Sequence, residues 1–174
     1  MSIDRRLRSI AAKRARVITL VAGLEPSRVV AHPRPGKWSI AEIVEHLVRS
    51  EVDVFGDLSQ LDQRAPQPRR TRDRIRFVVV MCILRFDIPV RVPSHAMRPT
   101  GGRSLPELLA QWEANHDRLR AWVAASAPSL LKRPLFRHPV AGPLTTAQSL
   151  HMLEVHLDRH VRQINVLVQQ IEPW

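Results

Sequence analysis

Thr145-Thr146-Ala147-Gln148-Ser149-Leu150-His151-Met152-Leu153-Glu154-Val155-His156-Leu157-Asp158-Arg159-His160-Val161-Arg162-Gln163-Ile164 reads as the first five turns of a long amphipathic helix. On a wheel of about 100° per residue, Leu150, Leu153, Leu157, Ile164, Leu167 and Ile171 gather on one arc. His160 falls inside that arc and His156 lies at its edge. Thr145-x-x-Gln148 is a capping box, in which side chain and backbone satisfy each other's orphan groups. The helix is therefore expected to start at Thr145 and run to about Gln170. His156 and His160 stand at i and i+4, so their rings leave one face a turn apart. That is the spacing of a metal-binding pair, although the Glu of the H-E-x-x-H motif is absent. The competing reading is two hydrogen-bonded core histidines.

Three more long helices can be read upstream. Ile3, Leu7, Ile10, Val17, Ile18, Val21 and Leu24 recur at helical spacing over 3–23. Ser39-x-x-Glu42 opens a second helix, with Ile40, Ile43, Val44, Leu47, Val48, Val54, Phe55 and Leu58 as its apolar side. Ser104-x-x-Glu107 opens a third, with Pro106 in the first turn where its missing N–H does no harm. Leu105, Leu108, Leu109, Trp112, Leu119, Trp122 and Val123 form its stripe. Between the second and third helices, 63–104 is rich in Pro and Arg and is expected to be mostly irregular. Within it, 74–86 reads as a short helix, though its β-branched centre also suits a strand. Four helices joined by crossovers describe an all-α four-helix bundle, a single domain over 1–174, with no internal repeat.

His46 flanks the apolar arc of the second helix, beside Ile43, Ser50 and Val54. If the second and fourth helices are neighbours, His46 completes a three-histidine set. Three imidazoles leave coordination positions open, the pattern of a reactive site. His116 lies in the stripe of the third helix, where a histidine is either a core residue or a pocket contact. Gln163 sits one turn beyond His160, placed to orient a ligand imidazole. His32, His95 and His138 fall in loops beside prolines. Cys82 is set in an apolar run, where a thiol is normally inert.

Composition narrows the options further. The 174 residues carry 27 Lys+Arg against 16 Asp+Glu, a formal charge of +11. A hydrophobic share of 44% supports a sizeable core, and one cysteine rules out an internal disulfide framework. Only Lys13, Lys37 and Lys132 are lysines, so 24 cations are arginine, a bias that a GC-rich genome also produces. The basic groups at 5–16 and 69–76 read as solvated faces, or as surfaces for an acidic partner. No apolar run approaches the ~20 residues of a membrane span. Lys13, Arg14 and Arg16 interrupt any signal-peptide core, so a cytoplasmic location is expected.

Three segments in order carry a family resemblance, the middle one being Pro93 and Pro99 ahead of Ser104-Leu105-x-Glu107-Leu108-Leu109, placed as a crossover loop entering the third helix. Gly36-Lys37-Trp38-Ser39-Ile40-x-Glu42-Ile43-x-x-His46-Leu47 resembles the helix-two signature of the DinB/YfiT-like superfamily. His138-Pro139-x-x-Gly142-Pro143-Leu144-Thr145, followed by His156-x-x-x-His160-x-x-Gln163-Ile164, resembles its closing signature. The resemblance implies an up-down-down-up bundle with a long crossover between the second and third of these helices. It implies a three-histidine divalent-metal site, zinc or nickel, at His46, His156 and His160. It also implies a low-molecular-weight-thiol-dependent transferase or hydrolase acting on small molecules, and a possible homodimer, for which the apolar 78–84 run is the candidate surface. A second class stays open: a non-catalytic helical protein whose Arg-rich face binds nucleic acid or a protein partner. Against its nucleic-acid form, no helix-turn-helix, zinc-finger or RNA-binding signature is present.

Overall fold

Each long helix begins where its side chains can satisfy orphan amides. Ser39 and Ser104 accept from the amides of Glu42 and Glu107, whose carboxylates reach back to the cap backbone. Thr145 and Gln148 make the same reciprocal pair. The computed structural model describes residues 1–56, 58–63, 65 and 67–170; Ile171, expected on the last apolar arc, lies outside them. The bundle consists of α1 (Ile3–Ala22), α3 (Ile40–Phe55), α5 (Leu105–Ala125) and α7 (Thr146–Gln170). α1 packs on α7, and α3 packs on α5 and α7. Ile10, Ile43, Val44, Trp112, Leu150, Leu157 and Ile164 form its buried centre. Each such side chain contributes about 1.5–3 kcal/mol by leaving water. Arg6 and Lys13 of α1 pair with Glu154 and Asp158 of α7 along the solvent edge of that contact.

The crossover is less irregular than expected. It contains α4 (Thr71–Arg85), a helix and not a strand, packed on α7. Val80 is buried and Ile83 and Leu84 are half-buried, whereas Ile75, Val78, Val79, Cys82 and Phe86 face outward. Apolar residues all round the helix hide its period, which is why the sequence leaves helix and strand open. α7 pins the end of α4. Arg162 makes a bidentate pair with Asp87 at 2.9 and 2.9 Å, and Arg159 donates to the carbonyls of Ile83 and Ile88 at 3.1 Å each. α3 stops at Phe55, short of the expected Leu58, because Gly56 turns the chain at φ 54°.

Short elements fill the other connections. α2 (Pro26–Val30) and α6 (Pro128–Leu131) are single turns of helix where irregular chain was expected. β1 (Phe136–His138) and β2 (Gly142–Leu144) pair antiparallel, with Phe136 opposite Leu144 and His138 opposite Gly142. Gly142 has φ 74°, and a Cβ there would meet the Asp73 carboxylate at 3.0 Å. This close approach seats the hairpin against the start of α4 and carries His138 toward α7.

Candidate metal centre

The sequence around His46 straps the 95–101 loop onto α3. Glu45 accepts from the Thr100 amide at 3.1 Å, the Thr100 hydroxyl at 2.8 Å and the Gly101 amide at 3.0 Å. Burial pushes the Glu45 pKa up, but these donors and Arg49 outweigh it and hold the carboxyl below its ordinary value. Arg49 donates to the Ala96 carbonyl at 2.8 Å. Between them, His46 Nδ1 donates to the Met97 carbonyl at 2.7 Å, and Trp38 lies against the ring at 4.9 Å. With its proton on Nδ1, His46 presents a lone pair at Nε2.

α7 brings two more imidazoles to that lone pair. His46 Nε2 lies 3.2 Å from His156 Nε2, which lies 3.0 Å from His160 Nε2. His160 Nδ1 donates to Gln163 Oε1 at 2.9 Å, so its Nε2 is also a lone pair. One proton on His156 cannot serve two acceptors well, and without a cation three ring nitrogens crowd one point. Ligand nitrogens at 2.0–2.1 Å from one ion are separated by about 3.0–3.4 Å. The His46–His156 and His156–His160 separations fit that requirement, and all three ligand atoms lie within 4.8 Å of one another, so this cluster could hold a divalent metal. Burial, first of all, lowers the pKa of all three, that of His160 to about 3; neighbouring positive charge adds to the effect. The imidazoles are neutral at physiological pH, as ligation requires.

The cluster opens into a cavity of about 930 Å³, walled by α3, α4, the 89–99 loop, the hairpin and α7. Its lining is mainly apolar, with Trp38, Val54, Phe55, Val90 and Met152 prominent. Among the described residues, Lys37, Arg91, Arg98 and Arg159 bring four cations to it, against one carboxylate, Glu51. Arg159 donates its hydrogen bonds to neutral carbonyls and shares the Asp87 carboxylate with Arg162, which leaves positive charge beside His156 and His160.

The remaining candidates separate clearly. Gln163 takes the orienting position expected of it. His116 does not line the cavity: it is buried in the core, where burial, with the Arg14 and Arg120 charges, lowers its pKa to about 4. Its place in the apolar stripe turns it into the core. Cys82 is exposed on the outer face of α4 and also misses the cavity. Sequence reasoning gives no role in the site to two cavity residues, Glu51 and His138. Glu51 accepts from Trp112 Nε1 at 2.6 Å, and burial pushes its pKa up to about 7. Arg14, expected on a solvated face, is buried under the Trp112 ring at 4.9 Å. His138 sits in a hairpin that no periodicity announces.

Comparison with known proteins agrees with this architecture. YfiT from Bacillus subtilis, described as a probable metal-dependent hydrolase with an unusual four-helix bundle topology, superposes with a TM-score of 0.66. The two are 18% identical over 98% of this chain and 90% of that one, a likeness of fold. No curated protein matches by sequence. The family model of the DinB superfamily matches residues 9–164, and with that match the chain belongs to the DinB superfamily.

Proposed function

We propose that the protein is a divalent-metal-dependent enzyme, a hydrolase or low-molecular-weight-thiol transferase, with His46, His156 and His160 as ligands for zinc or nickel. The observation that carries this is the convergence of three neutral imidazoles from two helices, with His156 Nε2 3.2 Å from His46 Nε2 and 3.0 Å from His160 Nε2 and all three ligand atoms within 4.8 Å of one another. Such an ion supplies Lewis acidity, which draws the pKa of a water or thiol toward neutrality. The chain does the rest. Met97 and Gln163 hold the imidazoles in the correct tautomer. Lys37, Arg91, Arg98 and Arg159 attract an anionic small molecule, such as a thiol bearing carboxylates. The apolar walls exclude water around it. Protein purified without a His-tag should carry one equivalent of zinc or nickel, measured by plasma emission. Turnover of a carboxylate-bearing thiol substrate should fail after chelation and persist in Cys82→Ser. A metal-free protein that refuses added zinc rules out the centre.

We also infer self-association through the outer stripe of α4. Ile75, Val78, Phe86 and neighbouring Val79 are 61%, 58%, 73% and 50% exposed, at helical spacing along one face. A second copy seated there buries this stripe of four apolar side chains, whereas single scattered apolar residues on a surface need no partner. Light scattering should return twice the 19.9 kDa chain mass, and Phe86→Asp should return the single mass with metal content unchanged. A single mass for the unaltered protein at micromolar concentration contradicts this interface.

A further inference from the structure

The hairpin places in the cavity an imidazole whose tautomer the backbone dictates. His138 closes β1, and its Nδ1 accepts from the amides of Val140 at 3.2 Å and Ala141 at 3.0 Å. A backbone N–H only donates, so Nδ1 must keep its lone pair and the ring proton must sit on Nε2. Protonating Nδ1 would break both bonds and bury a charge; burial lowers the pKa to about 4. The ring is therefore neutral over the physiological range. Nε2 meets no protein acceptor among the described residues and is not sealed in the core. The ring lines the same cavity as His46, His156 and His160.

His46 and His160 have the opposite arrangement, Nδ1–H outward and an Nε2 lone pair inward. The cavity thus holds two kinds of imidazole. One kind offers lone pairs to a cation; His138 offers a proton. With Nε2 protonated and Nδ1 committed, His138 is excluded as a ligand and as a base at Nε2. Its remaining chemistry is donation to an acceptor in the cavity. We propose that His138 Nε2–H is a fixed neutral donor to a carbonyl or carboxylate oxygen of the substrate, whose reacting group lies at the three-histidine cluster. The substrate class is then a small molecule with an acyl-type oxygen, and no proton leaves His138 during turnover. Such a donor, already oriented, stabilises charge that develops on that oxygen without reorganisation. This inference rests on the metal reading above.

The test separates the two nitrogens of the ring. In His138→Asn, the amide oxygen takes the Nδ1 place and keeps the turn, but no donor reaches the cavity. In His138→Gln, the amide nitrogen takes the Nε2 place and keeps the donor, at some cost to the hairpin. The probe is N-acetylglycine hydroxamate, which offers a chelating head and a second carbonyl, titrated into the zinc-loaded protein by calorimetry. Affinity should fall about tenfold or more in His138→Asn and recover in part in His138→Gln, with zinc stoichiometry unchanged in both. Nitrogen-15 NMR of the ring should show Nε2 protonated from pH 5 to 8, and the Nε2–H signal should shift on probe binding. Equal affinity in all three proteins, an Nδ1–H tautomer, or failure of the zinc-loaded protein to bind the probe overturns the role of His138. Failure to take up zinc at all overturns the metal reading, and this inference with it.

Discussion

Replacing His160 with Ala should weaken zinc binding by at least about 100-fold and abolish the thermal stabilisation that zinc confers on the unaltered protein. Structural zinc sites with four ligands contribute about 10–16 kcal/mol in all, so each ligand accounts for roughly 2.5–4 kcal/mol, or 10²–10³ in affinity. Zinc at a hundred times its dissociation constant stabilises the folded state by about 2.7 kcal/mol, which disappears with the ligand. The metal-free variant should remain folded. Its Gln163 partner is exposed and can turn to water, and removing one of three crowded ring nitrogens relieves an unfavourable contact. A quantitative neighbour to this experiment is Gln163→Leu. It leaves the ligand but frees its Nδ1, and metal affinity should drop about 10–100-fold. Competition titration against a chromophoric chelator reads both. Retention of wild-type zinc affinity in His160→Ala would mean that the cluster is a packed polar core and not a metal centre.

The sequence made the helices and the ligand candidates legible because both depend on local spacing. Ser39-x-x-Glu42, Ser104-x-x-Glu107 and Thr145-x-x-Gln148 are complete within one turn, and each forms in the structure. His156 and His160 share a face by helix geometry alone. Their meeting with His46 depends on α3 packing against α7, a contact 110 residues apart that only the resemblance pointed to. What could not be read depends on tertiary burial. Arg14 looks like one of a run of exposed cations, but the Trp112 indole of α5 covers it. Glu51 follows Arg49 and Ser50 and reads as a surface acid, yet it is buried and accepts from that same indole. His138 gains its role from two amides in a tight hairpin of β1 and β2, elements too short for a period to reveal.

Glu51 and the buried histidines set opposite slopes in stability against pH, and the difference between wild type and Glu51→Gln should expose the first. The ordinary Glu51 value of 4.5 is raised to about 7 by burial, against the opposing pull of Trp112 and Arg14. The folded protein therefore keeps a proton that the unfolded chain has released between pH 4.5 and 7. Stability falls as pH rises through that window, by at most about 3 kcal/mol, and levels off above it. The histidines run the other way. His116 and His138 are lowered from 6.5 to about 4, and His160 to about 3, each mainly by burial. Their contribution is present above pH 6.5 and is lost as pH falls toward 3–4, because the unfolded chain takes up protons that the folded one refuses. The histidines are the same in Glu51→Gln, so their slopes cancel in the difference between the two proteins and the Glu51 slope stands alone. Gln keeps the oxygen that accepts from Trp112 but cannot ionise. Urea unfolding of the metal-free proteins, followed by circular dichroism, should show wild-type stability falling relative to Glu51→Gln by about 2–3 kcal/mol from pH 5 to 8. Parallel curves would mean that Glu51 is already ionised at pH 5. Arg14, 2% exposed and only 3.4 Å from the largely exposed Glu113, would then draw its neutralising charge from Glu51 throughout, and the cavity floor would carry a permanent anion.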